Sequence, residues 1–315
     1  MKKYKLGFTG IEVTELCFGA LPMGPLQKDL DIDYAALIVA KALRGGVNFV
    51  DTAQMYKTYL PIRKAMEQTG IVPVIASKSN VVEYDDMKNA VYEALEMLGL
   101  DKIDIFHLHA ARADRSLYEK RAGAFKALLD LKERGKIKAV GLSCHSADLV
   151  SASAGVKELD IVFPLINYKG MGIMEGTLFD MEQAIAKCRD AGKGIYLMKV
   201  LAGGNFLENY GEALTFARSL GYSIALGMVS EKEVDHNLSY FDSEDPSGFP
   251  NPTLKGYDKK FCVVQRVCLN CGKCVDACAS CAISIVNAKA FIDSEKCIMC
   301  GYCVPGCPTM AIRPV

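Results

Sequence analysis

Short apolar runs alternate with longer stretches of helical period along most of this chain. Runs at 14–18, 47–51, 74–78, 103–109, 139–143, 161–166, 194–199 and 223–227 read as strands. Met87, Val91, Leu95 and Leu98 recur at spacings of three and four and predict a helix over 85–98. Leu117, Phe125, Leu128, Leu129 and Leu131 predict one continuous helix over 117–134, stopped by Gly135. Strand–helix units repeated evenly about eight times predict a (β/α)8 TIM barrel. The competitor is an open doubly wound sheet, but its G-x-G-x-x-G turn is missing after the first strand. Gly7 and Gly10 precede the first barrel strand and predict a hairpin plugging the barrel floor.

The pattern changes after residue 242. D-S-E-D-P-S-G-F-P-N-P-T is a loop composition and predicts a linker over 243–260. The expected organisation is a barrel over 1–242, that linker, and a small α+β domain over 261–315. The last part carries C-L-N-C-G-K-C-V-D-A-C from Cys268 and C-I-M-C-G-Y-C-V-P-G-C-P from Cys297. Every cysteine of the first copy has a counterpart 29 residues later, and Ala282-Ile283 aligns with Ala311-Ile312. Between the copies, I-S-I-V-N-A-K-A-F-I-D fits a hairpin turning at Asn287-Ala288.

Three thiolates at x2 spacing wrap one corner of a cube-shaped iron–sulfur cluster, and the fourth ligand comes from elsewhere. Zinc sites use C-x2-C pairs set a dozen or more residues apart, without the third and fourth cysteine seen here. The run resembles bacterial ferredoxins with two [4Fe–4S] clusters, in which the fourth cysteine of each copy serves the other cluster. That resemblance groups Cys268, Cys271 and Cys274 with Cys307, and Cys297, Cys300 and Cys303 with Cys278. Two departures stand out: Ala279 follows Cys278 where proline is usual, and Cys281 occupies the place that Met310 holds in the second copy. The repeat favours Cys278 as ligand and makes Cys281 a spare, expected to be buried near a cluster.

Composition narrows the function classes. Lysine plus arginine and aspartate plus glutamate both number 37, so the basic footprint of a nucleic-acid or polybasic membrane binder is absent. No apolar run has bilayer-spanning length, and the N-terminal M-K-K-Y-K-L-G-F-T-G lacks the apolar region of a signal peptide. Eight of the 13 cysteines are taken as cluster ligands, which favours a reducing, cytoplasmic compartment. The others are Cys17, Cys144, Cys188, Cys262 and Cys281.

Barrel enzymes place their chemistry at the C-terminal strand ends. The second strand ends at Asp51 and runs on to Tyr56, the third ends at Lys78, and the fourth at His109. A tyrosine normally keeps its proton to about pH 10, and a nearby ammonium lowers that value. Asp51 would hold Lys78, Lys78 would tune Tyr56, and His109 would orient a carbonyl oxygen; the set suits Tyr56 as acid/base. His107 shares the parity of His109 and reads as a hydrogen-bonded core histidine.

L-G-F-T-G-I-E-V-T-E-L-C-F-G-A-L-P-M-G, D-T-A-Q-M-Y, A-S-K, D-I-F-H-L-H and G-L-S together resemble the aldo-keto reductases over about 1–242. Asp51, Tyr56, Lys78 and His109 match that family's catalytic tetrad. The resemblance implies NAD(P)H-dependent reduction of small carbonyl compounds, or the reverse oxidation of alcohols. It carries over cofactor roles to Ser143, Asn167, Lys199, Gly227, Ser230, Lys232 and Asn237.

The chain departs from the family at Lys57-Thr58-Tyr59, at Cys144, and where a 2′-phosphate grip would place Lys and Arg but Gly227 and Glu233 stand. Those last two leave NADP against NAD open, and there is no tryptophan to line a substrate pocket. Hydride carries two electrons and each cluster one, so exchange between the halves needs a mediator, normally a flavin. The alternative is a ferredoxin-type electron-transfer protein, serving a redox partner, on a degenerate barrel that does not use NAD(P)H. A third reading makes the clusters staples for a tail with little core of its own.

Overall fold

The structure, a computed structural model, describes residues 1–243, 248–252, 260–304 and 306–314. A β-hairpin opens the chain, pairing β1 (Lys3–Lys5) with β2 (Glu12–Thr14). Eight parallel strands follow: β3 (Leu16–Gly19), β4 (Phe49–Asp51), β5 (Val74–Ser79), β6 (Ile103–Ala110), β7 (Ile137–Cys144), β8 (Ile161–Pro164), β9 (Gly194–Leu197) and β10 (Ser223–Gly227). They close in sequence order, with β10 pairing both β9 and β3. The expected (β/α)8 TIM barrel is what forms, with one strand at each apolar run.

The helices are α1 (Ile32–Arg44), α2 (Tyr59–Thr69), α3 (Tyr84–Leu98), α4 (Leu117–Lys120), α5 (Ala122–Glu133), α6 (Ala147–Ser153), α7 (Leu178–Asp190), α8 (Tyr210–Ser219), α9 (Glu231–Asp242) and α10 (Lys273–Ala277). Their boundaries have local causes. Asp31 caps α1 by accepting the N–H groups of Asp33 and Tyr34 at 2.9 and 3.2 Å. Thr177 and Asp180 form a reciprocal capping box on α7. The helix expected over 117–134 breaks at Arg121. Its guanidinium turns inward and donates to the carbonyls of Val81, His109 and Ser79. Tertiary hydrogen bonds at the strand ends override the helical period there.

Residues pointing inward form a core separate from the one between strands and helices. It contains Leu6, Ile11 and Val13 of the hairpin, Phe49, Ile105, Phe163 and Tyr196 of the strands, and Ala279, Ile298 and Cys300 of the tail. The hairpin therefore seals the floor, as expected from Gly7 and Gly10. Any side chain at Gly7 would run into the backbone at Gly192. The tail seals the other end.

The tail pairs β11 (Phe261–Val263) with β14 (Ile312–Pro314), and β12 (Ile283–Val286) with β13 (Lys289–Ile292). Asn287 and Ala288 both have positive φ, 48° and 56°, the two-residue turn expected there. The cysteine repeat is also a conformational repeat. Asn270 and Met299 have positive φ, as do Gly272 and Gly301, and Cys281 and Met310. Cys281 is exposed, like Met310. The burial expected of this spare cysteine is not found: it holds the same place in the repeat as exposed Met310, with φ positive in both. The linker expected over 243–260 falls mostly outside the described residues. Among the described residues, no helix is long and apolar enough to cross a membrane.

Candidate active site

The C-terminal strand ends bring four polar side chains together. Asp51 ends β4, and Lys78 and His109 lie one residue inside the ends of β5 and β6. Tyr56 follows β4 on a short 3-10 turn. The Lys78 Nζ donates to Asp51 Oδ1 at 2.6 Å and to the Thr52 carbonyl at 2.8 Å. It lies 4.8 Å from the centre of the Tyr56 ring. Asp51 Oδ2 accepts the Tyr196 hydroxyl at 3.1 Å. That tyrosine stacks on Phe163 with centroids 3.8 Å apart and bonds His107 Nε2 at 2.6 Å. His107 is thus the hydrogen-bonded core histidine expected. Gly141 makes room for it, since a Cβ there would overlap the imidazole.

Burial dominates the titration of this group. It pushes Asp51 up and Lys78 down, while their mutual contact opposes both shifts. Burial, then Lys78, holds His109 well below its ordinary value, so its imidazole is neutral. The Tyr56 phenol was expected to be lowered by Lys78. It is instead pushed well above its ordinary value, by burial first and then by Tyr302 and Asp51. With the mouth closed, desolvation of the phenolate outweighs the help of the ammonium.

Tyr302 is the residue that closes it. Its hydroxyl lies 3.2 Å from that of Tyr56 and 3.0 Å from His109 Nε2. It comes from the tail, between Cys300 and Cys303. Sequence reasoning missed it. The available signal was the contrast between C-G-Y-C here and C-G-K-C in the first copy, an aromatic where the counterpart is a solvated lysine.

A cleft of about 150 Å³ runs from Asp51 and Tyr56 past Lys199 to Gly227, Glu233 and Asn237. Of the seven residues with expected cofactor roles, it gathers Lys199, Gly227 and Asn237. Ser143 is buried beside His109 in the strand register. Asn167 is buried and spends its amide on Met171 and on the Lys199 carbonyl. Ser230 caps α9 through the Glu233 N–H, and Lys232 lies exposed. Lys199 adopts φ 61° and sits close enough to Cys300 and Cys297 for its charge to act on them.

In the tail, Cys268, Cys271, Cys274 and Cys307 line one small cavity. Cys303 feels Cys300, Cys278 and Cys297 as its charged neighbours. The Ala282 N–H donates to Cys278 Sγ at 3.1 Å, and the Ala311 N–H to Cys307 Sγ at 3.2 Å. Those two alanines are counterparts in the repeat. N–H donors aimed at sulfur suit thiolate ligands, and the Ala290 N–H beside Cys268 lowers that thiol. Among the described residues, no three His, Cys, Asp or Glu converge as ligands of a single ion.

Residues 15–220 match the sequence model of the Aldo/keto reductase family. The chain belongs to the aldo/keto reductase family. A 4Fe-4S binding domain matches 290–313, so this reductase barrel carries an iron–sulfur domain. The chain is 27% identical over 215 residues to L-galactose dehydrogenase of Arabidopsis thaliana, covering 64% of this chain and 66% of that protein. It is 27% identical over 189 residues to the NADH-specific methylglyoxal reductase of Escherichia coli, covering 51% and 58%. It thus spans less than two thirds of the length of these curated relatives. The holo form of an aldo-keto reductase from Bacillus halodurans shares the fold at TM-score 0.64 and 17% identity, covering 82% of this chain and 99% of that one.

One consequence concerns His145, buried beside the tail at Ala279. Its pKa is lowered to about 3 by burial first and by the Lys199 charge second. The unfolded chain, near 6.5, binds this proton first, so stability is lost as pH falls from about 6.5 towards 3. Between pH 7 and pH 5, urea melts should lose about 2 kcal/mol more in the parent than in His145→Gln. Equal losses in the two proteins would refute a neutral buried His145.

Proposed function

We propose that the protein is an oxidoreductase that moves hydride between a nicotinamide cofactor and a small carbonyl or alcohol substrate, with Tyr56 as acid/base. The observation that carries this reading is the clustering of Asp51, Tyr56, Lys78 and His109 at the C-terminal strand ends, where Asp51 and Tyr56 line the cleft. In the direction of reduction, the carbonyl carbon gains hydride and its oxygen takes the Tyr56 proton, leaving an alcohol. When bound, the nicotinamide supplies that hydride. Lys78, 4.8 Å from the Tyr56 ring centre, stabilises the phenolate left behind. Asp51 holds Lys78, and neutral His109 hydrogen-bonds the carbonyl oxygen. The reaction balances without the clusters, so they stand beside it as one-electron carriers.

The cleft suits NADH better than NADPH. Glu233, buried at its far end with one carboxylate oxygen accepting the Val229 N–H at 2.9 Å, places negative charge there that repels a 2′-phosphate. Its neighbour Gly227 has no charge to compensate. This agrees with the Escherichia coli relative, an NADH-specific methylglyoxal reductase.

In this reading residues 1–242 are the reductase barrel and 261–315 hold two [4Fe–4S] clusters. Cys268, Cys271, Cys274 and Cys307 ligate one, and Cys297, Cys300, Cys303 and Cys278 the other. The lined cavity and the paired N–H donors to Cys278 and Cys307 support that register.

A second reading has two observations behind it: Asn167 is tied into its own loop and Ser143 lies off the cleft. It makes the chain an electron-transfer protein that does not use a nicotinamide. Anaerobic titration separates the two, since only the first predicts nucleotide binding.

Tyr56→Phe should lower NADH-dependent carbonyl reduction by about 10²–10⁴-fold with iron content unchanged; retained turnover would sink the tetrad reading. NADH should bind about tenfold or more tighter than NADPH, and Glu233→Gln should narrow the gap. An unchanged ratio would remove Glu233 from coenzyme choice. Iron analysis should show Cys278→Ala losing one cluster and Cys281→Ala losing none. The opposite pattern would overturn the register.

A further inference from the structure

Two spaces meet at the mouth of the barrel, and the side chain of Tyr302 stands between them. One is the cleft that runs from Tyr56 to Asn237. The other is a groove of about 530 Å³ between the loop after β6 and the tail around α10, reaching inward to His109. A carbonyl oxygen that receives the Tyr56 proton and a hydrogen bond from His109 must lie within reach of both. The Tyr302 hydroxyl holds that position, 3.2 Å from one and 3.0 Å from the other. Two oxygens cannot occupy it together.

We propose that the groove is the entry site for the carbonyl substrate and that Tyr302 gates it. The phenol fills the oxygen site while the groove is empty and rotates aside when a carbonyl arrives. This rests on the hydride-transfer reading above.

The backbone around Tyr302 is clamped, so the side chain is the part that moves. Gln27 donates to the Met299 carbonyl at 3.1 Å and Asn205 to that of Cys297 at 2.9 Å. Ile298 is fully buried. Gly203 and Gly301 pack so closely, against the Ile298 and Leu26 carbonyls, that neither has room for a side chain. The phenol hydroxyl makes two hydrogen bonds, its ring makes an edge contact with His109 at 5.6 Å, and the half-buried side chain packs against the cluster of Leu21, Leu26, Ala53 and Tyr56.

The groove also indicates the class of substrate. Ala110, Ala111, Ala113, Leu117, Ala277 and Ala279 make its wall short and apolar. Its cationic groups are already engaged. Arg112 donates to the carbonyls of Val275 and Asp276, Arg121 to three strand-end carbonyls, and Lys120 pairs with Asp114. The site therefore fits a neutral aldehyde or ketone with an apolar or aromatic body. An anionic sugar acid or keto acid would find no free cation there among the described side chains that line it.

The test uses the full chain with its clusters loaded and benzaldehyde as probe. Calorimetric titration without nucleotide measures binding alone. Tyr302→Ala should bind benzaldehyde about tenfold tighter than the parent, because two internal hydrogen bonds no longer compete. Tyr302→Phe, which keeps the ring, should show a smaller gain in the same direction. The KM for benzaldehyde should fall in parallel. Ala113→Trp, which fills the groove, should weaken binding about tenfold in parent and Tyr302→Ala alike. Unchanged or weaker binding in both Tyr302 variants overturns the gate. Full affinity in Ala113→Trp overturns the groove as entry site. If binding tightens as expected but no variant turns over with NADH, the gate stands and the hydride-transfer reading falls.

Discussion

A closed barrel has two open ends, and this chain must cover both with its own residues. The hairpin at the N-terminus seats Leu6, Ile11 and Val13 in the floor. The second cysteine loop seats Ile298 and Cys300 in the same interior core from above, with Ala279 beside them. Burying that loop removes water from the strand ends where Asp51, Tyr56, Lys78 and His109 converge. The tail is therefore a wall of the candidate site. The close approach needs glycine on both sides, at Gly203 of the barrel and Gly301 of the tail.

Dry surroundings alter the chemistry of those four residues. In water, an ammonium near a phenol makes the phenol easier to ionise. Here burial costs the phenolate more than Lys78 returns, so Tyr56 keeps its proton more firmly than a free tyrosine. A buried lysine needs an anion close by, and Asp51 meets Lys78 at 2.6 Å. A group that holds its proton until a carbonyl oxygen develops charge beside it is suited to act as the acid. The Tyr302 hydroxyl now in that place also raises Tyr56, so its departure and the arrival of substrate would change the balance together.

The tail has a second kind of order. Its two copies repeat in sequence, in the handedness of single residues and in hydrogen bonds to sulfur. They part where each copy meets its surroundings. Lys273 of the first copy points to solvent, and Tyr302 of the second meets the tetrad. One duplicated unit thus carries a solvated loop and an active-site loop.

The sequence alone determined what depends on local pattern. Alternation of apolar runs and helical period located all eight barrel strands, because each buries its side chains on both faces and needs a continuous apolar run. Cysteine spacing located the tail, and strand-end polarity located Asp51, Lys78 and His109. The break at Arg121 was not legible, since a helical period continues through it and only distant carbonyls reward the inward turn. Nor was the exposure of Cys281, which shares its place in the repeat with exposed Met310. The engagement of Asn167 by its own loop was hidden as well, because an amide's partners are chosen by the fold. Above all, nothing local links Tyr302 to Tyr56, which lies 246 residues away in the chain. That contact exists because the tail docks on the barrel mouth, and docking is set by the shapes of two surfaces that no single stretch of sequence contains.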